Sequence, residues 1–151
     1  MLKNYAKKNL DEIVRLYVAA FKVAPISYDW LTVEQSRRYL RDITRFPGFL
    51  GFVYLTEGAV SAFCFGVLDN YFQGTLFEIK EFAVSPACHN RGIGSLLISD
   101  MQKKLTEHGV EGITLQTSRH IPAYNFYLKN NFEEITTSVS LIKWINLTPK
   151  P

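Results

Sequence analysis

Two cysteines, Cys64 and Cys88, are too few for a disulfide framework, so a scaffold held by cross-links is excluded. Cys64 falls in the apolar run 60–68 and reads as a small core residue. Cys88 stands next to His89 in a polar stretch, but a metal site there lacks further ligands, so no metal is expected. No apolar run approaches a membrane span, and the polar N-terminal residues are unlike a signal core. A cytoplasmic protein with no membrane partner is the expectation. Charge of one sign is also scarce. A net charge of +3, with no basic stripe, argues against a nucleic-acid partner. Low-complexity segments, linkers and repeats are absent, and 151 residues suit one domain over 1–151. What is plentiful is apolar content, 47%, enough for a packed core.

The periodicities predict a mixed α/β chain. Residues 2–5 form a short strand, and Asn9 caps a helix to about residue 21 with Leu10, Ile13, Val14, Tyr17 and Val18 on one face. Residues 23–30 form a loop containing Pro25. Thr32 and Gln35 make a capping box for a second helix ending near Arg45, stopped by Pro47-Gly48. Strands over 49–56 and 59–68 join through Glu57-Gly58, a tight hairpin signal. A loop at 69–74 leads to a strand over 75–84. A third helix spans 92–108, with Ile93, Leu96, Leu97, Met101 and Leu105 as its stripe and Gly109 as a left-handed stop. A strand over 112–117, a helix from Pro122 to about Asn130, and strands over 132–137 and 139–145 complete the chain.

One stretch carries chemistry. An apolar strand ends at Val84, a polar turn follows, and Gly92-Ile93-Gly94 opens an amphipathic helix. Such a start offers free backbone N–H groups and the positive end of the helix dipole to an anion. Arg91 adds fixed charge, and the glycines let an anion approach the backbone. A dinucleotide fingerprint needs a glycine where Leu97 stands, and a nucleotide P-loop needs Gly-Lys-Ser/Thr, which is missing. On its own, the Gly-x-Gly pair would be read as nothing more than a tight turn into the helix.

The chain resembles the GNAT superfamily of acetyl-CoA-dependent N-acetyltransferases over nearly its full length. His89-Asn90-Arg91-Gly92-Ile93-Gly94 resembles that family's Gln/Arg-x-x-Gly-x-Gly/Ala turn. Residues 123–132 resemble its Ala-x-x-x-Tyr-x-x-x-Gly-Phe segment, with Asn131 at the glycine position and His89 at the Gln/Arg position as departures. The resemblance implies a mixed, mostly antiparallel sheet of about seven strands flanked by four helices. It implies acetyl-CoA as cofactor, with backbone groups of Phe82, Ala83 and Val84 pairing with the pantetheine arm. One backbone N–H there would polarise the thioester carbonyl. Residues His89, Asn90, Arg91, Gly92, Ile93, Gly94 and Ser95 would form the pyrophosphate turn.

The resemblance also implies Tyr127 as the acid that protonates the departing thiolate; from the residues alone it is a core aromatic, with Tyr124 as its decoy. Glu78 lies eleven residues before His89, the spacing of the catalytic Glu in the histone acetyltransferase branch. Glu81 matches the acidic residue that small-molecule branches place near the amine. Strict alternation sends the two to opposite faces, and a bulge would change that, so the base is left open between them, with a water relay as a further route. The acceptor side implied by the family is Tyr28 and Trp30 in one segment and Asp69, Tyr71 and Phe72 in another, with Glu81; acids among aromatics suit an organic cation. Trp30 ahead of the second helix and the strand around Glu81 are similar to aminoglycoside 6'-N-acetyltransferase-like members. The expected activity is acetyl transfer to a primary amine of a small molecule, aminoglycoside- or polyamine-like, by direct attack in a ternary complex. The alternatives are a peptide N-terminal acetyltransferase and a non-catalytic CoA-binding sensor. The N-terminal branch carries a Glu twelve residues before the Tyr, where this chain has Leu115. By analogy the C-terminal strands are a place for a homodimer contact.

Overall fold

The computed structural model describes residues 1–23, 27–72 and 74–145. Pro25, within the expected loop, and Gln73, within the next, lie outside the described residues. The elements run β1 (Leu2–Asn4), α1 (Leu10–Lys22), α2 (Val33–Ile43), β2 (Phe49–Thr56), β3 (Ala59–Tyr71), β4 (Gly74–Val84), α3 (Ile93–Glu107), β5 (Val110–Thr114) and α4 (Pro122–Lys129). Two compact units contain them, Met1–Thr117 and Ser118–Pro151.

In the first unit five strands form one sheet in the order β1-β2-β3-β4-β5. The first three pairings are antiparallel and β4–β5 is parallel. Side chains alternate across it. Val53, Phe63, Phe65 and Ala83 face a core closed by Ile13, Val14, Tyr17, Leu40 and Ile43 from α1 and α2. Phe52, Cys64 and Phe77 take the other face, with Phe52 and Phe77 edge-to-face at 5.9 Å. α3 covers that face with Leu97, Ile98, Met101 and Leu105.

The mixed α/β class, the four helices and the mostly antiparallel sheet agree with the sequence pattern. The strand count is five among the described residues, not seven. Residues 132–145 are not strands: Val139, Leu141, Ile142, Trp144 and Ile145 are exposed. Alternating apolar residues specify a strand only where a neighbouring ladder and a buried face receive them. The loop expected at 69–74 is shorter, because backbone pairing continues through Asp69↔Leu76 to Tyr71↔Gly74 despite polar side chains at the hairpin tip. β5 begins at Val110, which pairs with Thr75 and is buried, and it ends at Thr114 rather than at 117.

Local signals behave as their chemistry requires. Thr32 Oγ1 accepts the Gln35 N–H at 3.1 Å and Gln35 Oε1 accepts the Thr32 N–H at 3.0 Å, a complete capping box. Asn9 does not cap α1. A 3-10 turn over Lys7–Asn9 carries the helical path upstream, and Asn9 Oδ1 accepts the Ala6 N–H at 3.1 Å instead. Glu57, Gly109 and Asn131 are left-handed at φ 51°, 74° and 63°, as the hairpin and two helix ends require. In α3 the buried stripe is Gly94, Leu97, Ile98, Met101 and Leu105, and Leu96 faces out.

A bulge at Ser61 interrupts the β2–β3 ladder, since Tyr54 pairs with Ala62 and Leu55 with Val60. The disturbed groups find side-chain partners: Ser61 Oγ donates to the Tyr54 carbonyl at 2.9 Å, and Glu12 Oε1 of α1 accepts the Val60 N–H at 2.7 Å. Glu12 thereby ties α1 to the sheet. Glu12→Ala strands the buried Val60 amide and is expected to lower stability by about 1–3 kcal/mol. Glu12→Gln keeps an acceptor oxygen and loses less. Urea denaturation of both variants checks this, and equal losses would show that the helix, not the amide, feels the change.

Candidate active site

The centre of the first unit is a second bulge. Phe65 pairs with Glu81 and Gly66 with Ile79, so Lys80 has no residue opposite it on β3. The extra residue shifts the parity of β4. Glu78, opposite Val67, and Glu81, opposite Phe65, therefore lie on the same face, the one that carries α1 and α2. Gly66 permits this. A Cβ there would lie 2.4 Å from the Phe77 ring and 2.5 Å from the Glu78 carbonyl oxygen.

The two carboxylates differ in company. Glu78 is paired with Lys80 Nζ at 2.8 Å. Glu81 is partly buried and accepts a 2.6 Å hydrogen bond from the Tyr39 hydroxyl. Burial pushes the Glu81 carboxyl up to about 7, against the lowering effect of the Tyr39 bond. Burial, and then Glu81 itself, hold the Tyr39 and Tyr17 hydroxyls well above their ordinary range. Sequence reasoning missed Tyr39. Its signal was present: it belongs with Ser36, Leu40 and Ile43 on the inward stripe of α2, at the half-exposed edge of that stripe.

Rings surround this carboxylate. Tyr17 lies 4.5 Å from Phe21 and 6.4 Å from Tyr39, centre to centre. Phe21 stacks on Tyr28 at 6.0 Å, and Tyr28 meets Trp30 at 5.3 Å. Tyr28, Trp30 and Glu81 thus belong to one connected set through Tyr17 and Tyr39. Asp69, Tyr71 and Phe72 belong to another place. Asp69 pairs with Leu76, five residues from Glu81 along β4, or roughly 16 Å of strand. Tyr71 and Phe72 are exposed at the hairpin tip beyond it.

Past Glu78, β4 and β5 part, since their pairing covers only Thr75–Glu78 on β4. Beyond Val84 the chain makes a 3-10 turn, Pro86–Cys88, and reaches α3 through Asn90 at φ 58° and Gly92 at φ 74°. The first helical bond of α3 is Leu96 N–H to the Gly92 carbonyl at 3.0 Å, so the amides of Ile93, Gly94 and Ser95 precede the ladder. Gly92, the N-cap, supplies no side chain to them, and a Cβ there would meet nothing within 4 Å. Arg91 and Ser95 are exposed beside this opening. An uncapped start to a 15-residue helix, with an open approach, fits a diphosphate. His89 departs from the expected role. Its Nε2 lies 3.2 Å from the Val84 carbonyl, which only accepts, so the ring turns back onto β4 as a donor.

In the second unit Tyr127 lies on α4, 5.2 Å from the Phe126 ring and 5.3 Å from the Phe132 ring. Tyr124 lies on the same helix. Its hydroxyl donates to Glu134 Oε2 at 2.9 Å, and Arg119 pairs with the other oxygen of that carboxylate.

An uncapped helix start thus follows a strand that parts from its parallel neighbour. The family model for acetyltransferases (GNAT) matches residues 10–132, and the chain belongs to that family. It is an acetyltransferase of the acetyl-CoA-dependent kind, as members of this family are. No curated protein sequence matches it significantly. Solved structures share its fold. An aminoglycoside acetyltransferase from an uncultured soil metagenomic sample, in complex with sisomicin, is 21% identical with a TM-score of 0.67, covering 99% of this chain and 96% of that one. An aminoglycoside 6'-N-acetyltransferase from Acinetobacter haemolyticus is 12% identical at 0.72, covering 97% and 99%. A Trypanosoma brucei acetyltransferase is 18% identical at 0.68, covering 95% and 99%. Among the described residues no helix is long and apolar enough to cross a membrane.

The raised Glu81 carboxyl has a consequence for stability. Below about pH 4.5 it is protonated folded and unfolded, and costs nothing. Between 4.5 and about 7 the unfolded chain ionises while the folded one holds its proton, so stability falls as pH rises. Above about 7 the loss levels off. Relative to Glu81→Gln, the native protein should lose about 1–3 kcal/mol between pH 4 and pH 8. Chemical denaturation across that range checks this, and a pH-independent difference would refute burial as the cause.

Proposed function

We propose that the chain is an N-acetyltransferase of a single domain, acting on a primary amine of a small molecule by direct attack in a ternary complex, with Glu81 as general base. The observation that carries this is the Glu81–Tyr39 pair: a partly buried carboxyl raised to about 7 within a group of rings.

Acetyl-CoA supplies an activated acyl thioester. The amides of Ile93, Gly94 and Ser95, with Arg91, are the groups that would hold its pyrophosphate, and backbone groups of 82–84 its pantetheine arm. Because His89 engages the Val84 carbonyl, that carbonyl is the least available of the strand groups. A backbone N–H within 82–84 would polarise the reacting carbonyl.

The acceptor must lose a proton before it attacks. An alkylammonium titrates near 10.4, so a carboxylate at the usual 4.5 would take its proton at a cost of about 8 kcal/mol. A carboxylate at about 7 reduces that to roughly 5 kcal/mol. Desolvation of the ammonium in an aromatic setting lowers it further. Tyr39, by donating to Oε1, keeps Glu81 from rising beyond the useful range and holds the other oxygen toward the acceptor. Glu78, neutralised by Lys80, is the weaker candidate. The family resemblance makes Tyr127 the acid that returns a proton to the thiolate.

Glu81→Gln should lower kcat by about 100-fold or more and abolish a rising limb centred near pH 7 in the pH–rate profile. A retained limb would remove Glu81 as the base. Tyr39→Phe deletes a bond that lowers the carboxyl, so its limb should move to higher pH while acetyl-CoA still raises the melting temperature. Tyr127→Phe should slow turnover with cofactor binding kept, and an unchanged kcat would exclude the acid role.

A further inference from the structure

We infer that the acceptor is a monoamine with a flat aromatic body, an arylalkylamine, seated against Tyr28, Trp30 and Tyr39 with its amine turned to Glu81. This deepens the reading of Glu81 as base and rests on it.

Three observations carry the class. First, the rings that reach the surface are contiguous with rings that do not. Trp30 is 59% exposed, Tyr39 46% and Tyr28 42%, yet all join buried Tyr17 through centre distances of 4.5–6.4 Å. Open aromatic faces held in place by a buried ring form a platform for another ring, and they are costly to leave in water. Second, the near-parallel Phe21–Tyr28 stack, with 4° between planes, leaves Tyr28 a fixed outer face. Its partner Trp30 is tilted by 34°, so the two make an angled seat rather than a flat wall. Third, the charges do not suit a polycation. Glu81 is the carboxylate joined to the rings, through Tyr39. Glu78 is cancelled by Lys80, and Asp11 by Arg37. Asp29, between Tyr28 and Trp30 in the chain, is exposed, and so are the cations Arg38 and Arg41, which flank Tyr39 on α2. An aminoglycoside or polyamine presents several ammonium groups and needs several carboxylates. A monoamine needs one carboxylate tied to the rings, which Glu81 supplies through Tyr39, and its hydrocarbon part needs the rings.

The transfer balances without a further reactant. The ammonium gives one proton to Glu81, the neutral amine nitrogen forms a bond to the acetyl carbon, and the carbon–sulfur bond breaks. The thiolate takes a proton from Tyr127, the second proton shed by the acylated nitrogen restores that hydroxyl through water, and Glu81 releases its proton to solvent.

The test uses the full chain with acetyl-CoA and follows thiol release from 2-phenylethylamine, tryptamine, spermidine and sisomicin. The expected result is a kcat/KM for the two arylalkylamines at least tenfold above the others. Trp30→Ala and Tyr28→Ala should each raise KM for arylalkylamines about tenfold and narrow that preference. Trp30 and Trp144 are the two tryptophans, so Trp144→Phe makes Trp30 the reporter of 2-phenylethylamine binding without turnover. Quenching that Tyr28→Ala weakens supports the seat even if no amine is acetylated, in which case it is the base reading that fails. A preference for spermidine or sisomicin, lost in Glu81→Gln, overturns the arylalkylamine class while leaving Glu81 as base. Equal KM changes for every amine in Trp30→Ala also overturn it.

Discussion

One unpaired residue on β4 sets the chemistry of the first unit. Without the bulge at Lys80, Glu78 and Glu81 would be sent to opposite faces of the sheet, and Glu81 could not meet an α2 hydroxyl while Glu78 shared its side. With it, both carboxylates turn toward α1 and α2. The bulge in turn depends on Gly66, where any side chain would collide with the Phe77 ring and a backbone carbonyl. A glycine in the middle of a 13-residue strand weakens that strand in general, but at this position it lets the two ladders close on an extra residue.

The buried carboxylate follows from the same geometry. Glu81 costs stability above its raised pKa; burial imposes that cost and the Tyr39 hydrogen bond offsets part of it. A partly buried carboxyl held at such a cost contributes nothing to strength above its raised pKa, which is why the proposed function gives it the proton-transfer role. The sheet's other irregularity, at Ser61, has the opposite character. There the Tyr54 carbonyl and the Val60 amide are satisfied by side chains, and the result is attachment of α1 through Glu12.

The helix-start turn shows how backbone alone presents a set of hydrogen-bond donors. Asn90 and Gly92 both take left-handed conformations, and the amides that open α3 receive no cap from the N-cap residue. The left-handed φ of 74° at Gly92 disfavours a Ser or Asp there, and a capping side chain would occupy the N–H groups an anion needs. His89 adds a local detail: it secures the end of β4 by binding the Val84 carbonyl.

Much of this was legible in the chain itself. The four helices, the capping box at Thr32, the Glu57-Gly58 hairpin and the left-handed Gly109 and Asn131 are local matters, decided by caps, turns and periodicity within a few residues. The Gly92 turn was equally local. What the chain did not show were features that need a partner strand or helix. The last two expected strands are absent because alternation supplies no neighbour to pair with. The loop expected at 69–74 is shorter because backbone pairing through Tyr71↔Gly74 ignores side-chain polarity. Tyr39 escaped notice because its value lies in touching a residue 42 positions away. The choice between Glu78 and Glu81 stayed open for the same reason: alternation is written in one strand, but a bulge is a relation between two, and only their register in the folded sheet decides which carboxylate is buried and which is paired.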